Sequence, residues 1–209
     1  MNAPFIEKDH NIKEKKYLRH LFKIPITSKT FIYIGAFLKG RGIEQLIEVF
    51  KDEKVKSHIV FLGYGELKNI MLEESVQCQK IHIHDAVPHE KIISIAKSAD
   101  VGLCFIQNIS LSDYYCLPNK LFEYAFSGIS VLASNFPDIV SVVEKYNLGR
   151  CCSVDYDSIY SKIKEFEMLD KLPEIDSELL YDLSWQAQEE KLLILYSELI
   201  NDKMENSFA

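Results

Sequence analysis

One helical segment carries polar side chains whose spacing suits the binding of an anion and a sugar ring. Pro118 is typical of the first position of a helix and Gly128 of its end. Asn119 and Glu123 are four residues apart and share a helix face, with Lys120 beside them. A lysine in the first turn opposes the helix dipole by roughly 0.3–1 kcal/mol, a cost that a bound phosphate would offset. Glu123 could accept two hydrogen bonds from a vicinal diol such as a ribose, or it could be a solvated glutamate.

Two glycine-rich segments each lie between an apolar run and a helical pattern. The first, Gly35–Gly42, combines backbone that a ligand can approach closely with the cations Lys39 and Arg41. It lacks the sequence signatures of a P-loop and of a dinucleotide-binding turn, so a phosphate site and an ordinary turn with solvated cations both remain open. The second contains Gly63 and Gly65, a pattern that is also common where no ligand binds.

Three histidines at positions 82, 84 and 89 are the residues closest to a metal-binding pattern. His82 and His84 alternate along a predicted strand and His89 follows a proline turn, so they do not form a zinc set, and we expect no metal. Val87, Pro88 and the flanking backbone, in the same turn, would instead line a flat base.

Six short apolar runs predict the strands that must position these residues. Helical spacing of apolar residues follows each run, which indicates an α/β fold with a doubly wound, parallel, six-stranded Rossmann-like sheet. Ligands in such sheets bind outside the carboxyl ends of the strands, near the switch point, and the segments above all follow strands. The predicted strands are Phe31–Phe37, His58–Leu62, Lys80–Val87, Val101–Ile106, Ile129–Ser134 and Gly149–Val154.

The flanks predict three parts of the chain. Residues 1–28 form a linker and a basic amphipathic helix over 9–23, residues 29–170 form the Rossmann-like domain, and residues 171–209 form a loop and a long C-terminal helix that packs on the domain. Ser184 suits the N-cap of that helix. Its expected apolar stripe consists of Trp185, Leu192, Leu195, Tyr196 and Leu199.

Bulk composition excludes some classes of protein. The chain has 209 residues, 47% of them hydrophobic, and a net charge of −7, which argues against nucleic acid as a partner. The five cysteines match neither a zinc nor a thioredoxin pattern and predict a reducing compartment, the cytoplasm. No apolar run reaches the roughly 18 residues of a membrane span. The 9–23 helix could contact the inner face of a membrane, although its few cations are more often a solvated face.

Taken in order, these motifs resemble the group-one family (family four) of retaining glycosyltransferases, whose two-domain architecture is called GT-B. The resemblance covers roughly residues 25–200. The matching segments are Gly35-x5-Arg41-Gly42, Gly63-Tyr64-Gly65, Asp85–Pro88, Pro118–Tyr124, Gly128–Val131 and the C-terminal stretch from Leu183 to Leu192.

The resemblance implies roles for these residues. Arg41 would contact the donor diphosphate, Glu123 would hold the nucleotide ribose, and backbone amides around Lys120 would face the diphosphate and sugar. These three residues are the implied catalytic set. The remaining implied donor-binding residues are Gly35, Lys39, Gly42, Gly63, Gly65, Ala86, Val87, Pro118, Asn119 and Leu121.

The implied reaction transfers a hexose-type sugar from a UDP-sugar or GDP-sugar, with retention and without a cofactor. Its acceptor would be a glycan or a lipid-linked glycan, as in polysaccharide, O-antigen or capsule biosynthesis. Such enzymes bind the acceptor mainly through an N-terminal domain, which this sequence does not contain. We therefore expect this chain to bind the donor but not to catalyse transfer alone.

Two departures from the family pattern keep alternatives open. Tyr115 stands where the E-x7-E motif of the family has its first glutamate, and Ala36 stands where many members have arginine. Lys39 could replace that arginine. One alternative is a non-catalytic module that binds nucleotide weakly or mediates an interaction. Another is half of a GT-B sugar-nucleotide epimerase.

Overall fold

A computed structural model describes residues 16–173, 175–176 and 180–205. Its centre is a six-stranded parallel sheet with the order β3-β2-β1-β4-β5-β6, which confirms the predicted doubly wound fold. The predicted strands are all present, with ends that differ by one or two residues. The strands are β1 Thr30–Ala36, β2 His58–Tyr64, β3 Ile81–Asp85, β4 Val101–Cys104, β5 Ser130–Ser134 and β6 Gly149–Cys152.

Helices cover both faces of the sheet, because successive side chains of each strand point to opposite faces. Phe31 and Tyr33 of β1 are buried in one core cluster, whereas Ile32 and Ile34 are buried in the other. The helices are α1 Tyr17–Phe22, α2 Ile43–Lys51, α3 Lys68–Gln77, α4 Ile92–Ala96, α5 Leu111–Tyr114, α6 Asn119–Phe126, α7 Pro137–Lys145, α8 Tyr156–Met168 and α9 Trp185–Glu205, with 3₁₀ turns at His89–Lys91 and Tyr181–Leu183. Helix α5 lies in the polar segment between β4 and α6.

The connections change direction between β1 and β4, which makes this pair the switch point of the sheet. The two strands pair only over Phe31–Tyr33 and Val101–Leu103. Beyond that register the hydroxyl of Tyr124 in α6 accepts a hydrogen bond from the Ile34 N–H (2.9 Å) and donates one to the Leu103 carbonyl (3.2 Å). Its ring requires Gly102, where a Cβ would lie 2.2 Å from the ring. Tyr124 therefore fixes α6 over the crevice between these strands.

The N-terminal helix is part of the same body as the sheet. Leu18 is fully buried, Phe22 stacks on His82 with ring centroids 4.8 Å apart, and Arg19 pairs with Asp100 at 2.6 Å. The helix predicted over 9–23 is described only from Tyr17 to Phe22, and residues 9–15 lie outside the described part. Arg19 contributes to the fold instead of to a solvated basic face.

The C-terminal helix α9 packs on the domain only at its start. Ser184 caps it as predicted, since its hydroxyl accepts a hydrogen bond from the Ala187 N–H at 3.1 Å, and Ala187 is buried. The predicted apolar stripe does not form a buried face, because from residue 189 to residue 200 the side chains are exposed, including Leu192, Leu195, Tyr196 and Leu199. Among the described helices, none combines the length and apolar character that a bilayer crossing requires.

Candidate functional site

Lys120 lies beside the carboxyl end of β1, in the first turn of α6. Its ammonium group is 4.1 Å from the ring centroid of Tyr33, and a Cβ at Gly35 would lie 3.9 Å from it. Burial lowers the pKa of Lys120. Within the described part of the chain, no carboxylate or carbonyl bonds to this ammonium group. The switch-point crevice therefore holds a cation with an aromatic face beneath it and no anionic partner.

Glu123, one turn further along α6, is only 7% exposed. Its Oε1 lies 3.3 Å from Nε2 of His89, in the 3₁₀ turn after β3. Burial raises the pKa of Glu123, and His89 and Lys120 act in the opposite direction. The interpretation of Glu123 as a solvated surface glutamate is therefore wrong.

His89 is a site residue that sequence reasoning missed. Its ring is largely exposed, and it is brought to Glu123 by the turn that starts at Pro88. The proline turn directly after a strand was the available sequence signal for a site residue. Because positions 89 and 123 are far apart in the sequence, no local pattern shows that they are in contact.

Arg41 lies in the glycine-rich loop between β1 and α2. Its guanidinium lies 3.4 Å from Oδ1 of Asp113, whose Oδ2 accepts a hydrogen bond from the Ser110 hydroxyl at 2.7 Å. The Gln107 N–H donates to the Gly40 carbonyl at 2.8 Å, which joins the loop after β4 to the glycine-rich loop after β1. The Arg41–Asp113 pair is partly exposed, so it contributes little stability and can be exchanged for a stronger anion.

Gly63, at the end of β2, and Gly65, just after it, pack closely against the end of β1 and the loop that follows it. A Cβ at Gly63 would lie 1.9 Å from the Gly35 carbonyl oxygen, and one at Gly65 would lie 2.5 Å from that of Phe37. Both glycines thus have a packing reason to be glycine. Their predicted contact with a donor stays a prediction.

The other predicted donor residues are dispersed around this crevice. Lys39 is exposed, and its N–H lies 3.5 Å from a carboxylate oxygen of Glu66. Leu121 is fully buried and its N–H bonds to the Pro118 carbonyl, so it has no free polar group for a ligand. Asn119 and Ala86 are exposed, and Val87 packs in part against the core. Gly42 caps the start of α2.

The histidines of β3 serve the fold. His82 stacks on Phe22 and bonds to His58 with a nitrogen–nitrogen distance of 2.9 Å, and His84 bonds to the Tyr17 hydroxyl at 2.9 Å. Among the residues that the structure describes, no three His, Cys, Asp or Glu side chains are grouped closely enough to hold a metal ion.

Comparison with known proteins identifies the family. Residues 15–177 match the model of the family described as glycosyl transferases group 1. The chain belongs to this glycosyltransferase family. A search of curated proteins finds no match.

Solved glycosyltransferases share the fold of this domain. The enzyme from Rickettsia africae aligns with a TM-score of 0.68 and 15% identity, over 92% of this chain and 53% of the other. AviGT4, involved in avilamycin A biosynthesis, gives 0.63 and 15%, over 84% and 53%. Anabaena HepE in complex with UDP-glucose gives 0.60 and 11%, over 75% and 43%. This glycosyltransferase chain therefore has the fold of one half of a GT-B enzyme and spans about half the length of these structures.

Proposed function

We propose that this glycosyltransferase chain is the donor-binding half of a retaining GT-B enzyme, and that its switch-point crevice binds a UDP-sugar or GDP-sugar. The observation that carries the proposal is the pair formed by Lys120 and Glu123 in α6. Among the described residues, Lys120 is a half-buried cation that forms no ion pair, and Glu123 is a buried carboxylate that contacts His89 through one of its two oxygens. A nucleoside diphosphate supplies the complement of each.

The diphosphate would lie against Lys120 and the start of α6. Backbone N–H groups in the first turn of a helix have no internal partner and favour an anion, and the ammonium group adds a full charge. The ring of Tyr33 lies beside the ammonium group, 4.1 Å from ring centroid to nitrogen, and stabilises its charge. An anion there would also offset the desolvation that lowers the pKa of Lys120.

The ribose would lie against Glu123. A carboxylate can accept hydrogen bonds from both hydroxyls of a vicinal diol, and His89 engages only one of its oxygens. The turn at residues 85–88 lies directly before His89, which supports a place for the base beside that turn.

Arg41, assisted by Lys39, would stabilise the charge that develops on the departing diphosphate. For this, its guanidinium exchanges Asp113 for a phosphate oxygen, a stronger partner. A transition state with more charge on the diphosphate than the ground state is then bound more tightly.

The complete enzyme would transfer the sugar to a glycan or a lipid-linked acceptor held by a second domain. The reaction would belong to polysaccharide, O-antigen or capsule synthesis, and it would take place in the cytoplasm or at the inner face of the membrane. Retention at the anomeric carbon and an inactive isolated chain belong to the same proposal. Anabaena HepE has been solved with UDP and with UDP-glucose, which supports UDP as the first nucleotide to test.

Tyr115 favours a second candidate function, a non-catalytic nucleotide-binding module. It is 59% exposed and stands where a sugar-contacting glutamate is expected, so it offers no carboxylate. Such a module would bind the nucleotide but gain nothing from the attached sugar.

Calorimetric titration with UDP, GDP and their sugars tests the proposal. We expect one nucleotide class to bind, and Glu123→Gln to weaken it by about ten-fold through the loss of a charge-assisted hydrogen bond. Glu73→Gln, on the exposed surface of α3, is the matched control and should bind as the unaltered chain does. Equal affinity of all three proteins would exclude Glu123 from the donor site.

A further inference from the structure

His89 is an exposed histidine whose ring contacts a buried carboxylate. Its side chain is 72% exposed and that of Glu123 is 9% exposed, and Nε2 of His89 lies 3.3 Å from Oε1 of Glu123. The contact joins the 3₁₀ turn after β3 to the second turn of α6. Among the described residues, His89 is the one side chain that bonds to this carboxylate. It is therefore the residue that can orient Glu123.

Stability alone does not account for this contact. An ion pair with a partner as exposed as His89 contributes little to stability, because water screens it. Burial raises the pKa of Glu123, and the contact with His89 offsets this effect only in part. An uncharged side chain at position 123 would fill the same place without burying a charge. The arrangement is of the kind expected where a carboxylate has to bind a ligand.

The turn that carries His89 is held in place without the imidazole ring. The Lys91 N–H donates to the Pro88 carbonyl at 3.0 Å, which closes the turn through its backbone. The Ser127 hydroxyl, at the end of α6, donates to the Ile93 carbonyl of α4 at 3.1 Å. Removal of the ring should therefore leave the turn, α4 and α6 in their places.

The contact prepares Glu123 to accept hydrogen bonds from a diol. An ionised carboxylate accepts hydrogen bonds through both oxygens, whereas a protonated one has to donate from one of them. An N–H at Nε2 of His89, present in the imidazolium and in one neutral tautomer, donates to Oε1 and so favours the ionised form. The last torsion of a glutamate is otherwise broad. The contact therefore fixes the direction of both carboxylate oxygens.

We infer that His89 is a positioning residue for ribose recognition, which orients the Glu123 carboxylate to accept hydrogen bonds from the 2′- and 3′-hydroxyls of the donor nucleotide. The inference rests on the proposed function. A site that bonds a hydroxyl discriminates against an analogue that lacks it, because a buried polar group is then left unpaired. The chain should therefore distinguish a ribonucleotide from its 2′-deoxy analogue, and this distinction should depend on His89.

The test measures the affinities of UDP, 2′-deoxy-UDP, GDP and 2′-deoxy-GDP by calorimetry. The proteins are the unaltered chain, His89→Ala, His89→Gln and Lys91→Ala. Glutamine carries an N–H donor at about the reach of Nε2, so His89→Gln is the variant that should restore the contact. Lys91→Ala removes an exposed cation from the same turn and is the control.

We expect the unaltered chain to bind one ribonucleotide about ten-fold more tightly than its 2′-deoxy analogue. His89→Ala should weaken the ribonucleotide by about five-fold and leave the analogue nearly unchanged, whereas His89→Gln and Lys91→Ala should keep the preference. An equal loss for both nucleotides, or no loss for either, would overturn the inference and leave the donor site standing. If the folded, unaltered chain binds none of the four nucleotides, the proposed function fails and the role of His89 fails with it.

Discussion

Lys120 holds its ammonium group over the ring of Tyr33, where burial lowers its pKa and the nearby Glu123 acts only partly in the opposite direction. Burial also disfavours the charged form of Glu123, since it raises the pKa of the carboxyl group. Both residues lie in the first two turns of α6, and each places a charge where burial disfavours the charged form. Local costs of this kind are expected where a site has to bind a ligand.

Replacing the charge at position 120 should therefore separate stability from binding. In Lys120→Met a flexible apolar side chain of similar length removes the buried ammonium, and we expect the free energy of unfolding to rise by about 1 kcal/mol. Affinity for the nucleoside diphosphate should fall by about ten-fold or more, because a charge-assisted contact is lost. Urea denaturation and calorimetry measure the two effects.

The control for this prediction is Lys39→Met, which removes an exposed cation on the neighbouring loop. It should leave stability nearly unchanged and reduce affinity less. A Lys120→Met protein that is less stable and binds as before would show that the ammonium serves the fold.

At the scale of elements, the side chain of Tyr124 fixes the position of α6, because its hydroxyl bonds to both β1 and β4. Tyr124→Phe keeps the ring but leaves the Ile34 N–H and the Leu103 carbonyl without this partner. We expect a loss of about 1–3 kcal/mol in the free energy of unfolding, and weaker nucleotide binding because α6 carries Lys120 and Glu123. Tyr160→Phe, which removes a hydroxyl from a half-buried ring on α8, should change neither quantity, and denaturation melts with titrations compare the two.

The contact of α1 with β3 should make the fold sensitive to acid. Burial, with His58 as the second cause, lowers the pKa of His82 from 6.5 to about 4. The folded state therefore disfavours the imidazolium, and stability that is complete above pH 6.5 falls as the pH decreases toward 4. After allowance for solvent screening, the loss is on the order of 1–2 kcal/mol.

His82→Gln should flatten this pH dependence, which denaturation at successive pH values measures. An unaltered slope in the His82 variant would mean that other groups control the acid response.

At the scale of the whole molecule, the alternation of apolar runs with helical spacing was sufficient to predict the sheet, because strands buried on both faces leave a strong signal. The glycine and lysine motifs were also predicted to follow strands, and the structure places them at the carboxyl edge of the sheet. The sequence does not show the contacts between residues that are far apart along the chain. Examples are His89 with Glu123, Arg41 with Asp113 and Tyr124 between two strands.

The exposure of α9 is a further feature that a periodic pattern cannot decide. Its apolar residues predict a buried stripe, yet burial depends on the surface that lies opposite, and the described chain supplies one only for the first turn. The chain spans about half the length of the solved glycosyltransferases it resembles, so the domain is best tested first for donor binding.

The most direct test of the donor site is a titration of the isotope-labelled chain with UDP-glucose and GDP-mannose, followed through backbone amide chemical shifts. We predict saturable shifts for one of them in three loops that meet only in the fold, over residues 35–42, 85–89 and 118–123. Shifts confined to another surface would contradict the account, as would the absence of saturable shifts with either nucleotide sugar in a folded sample.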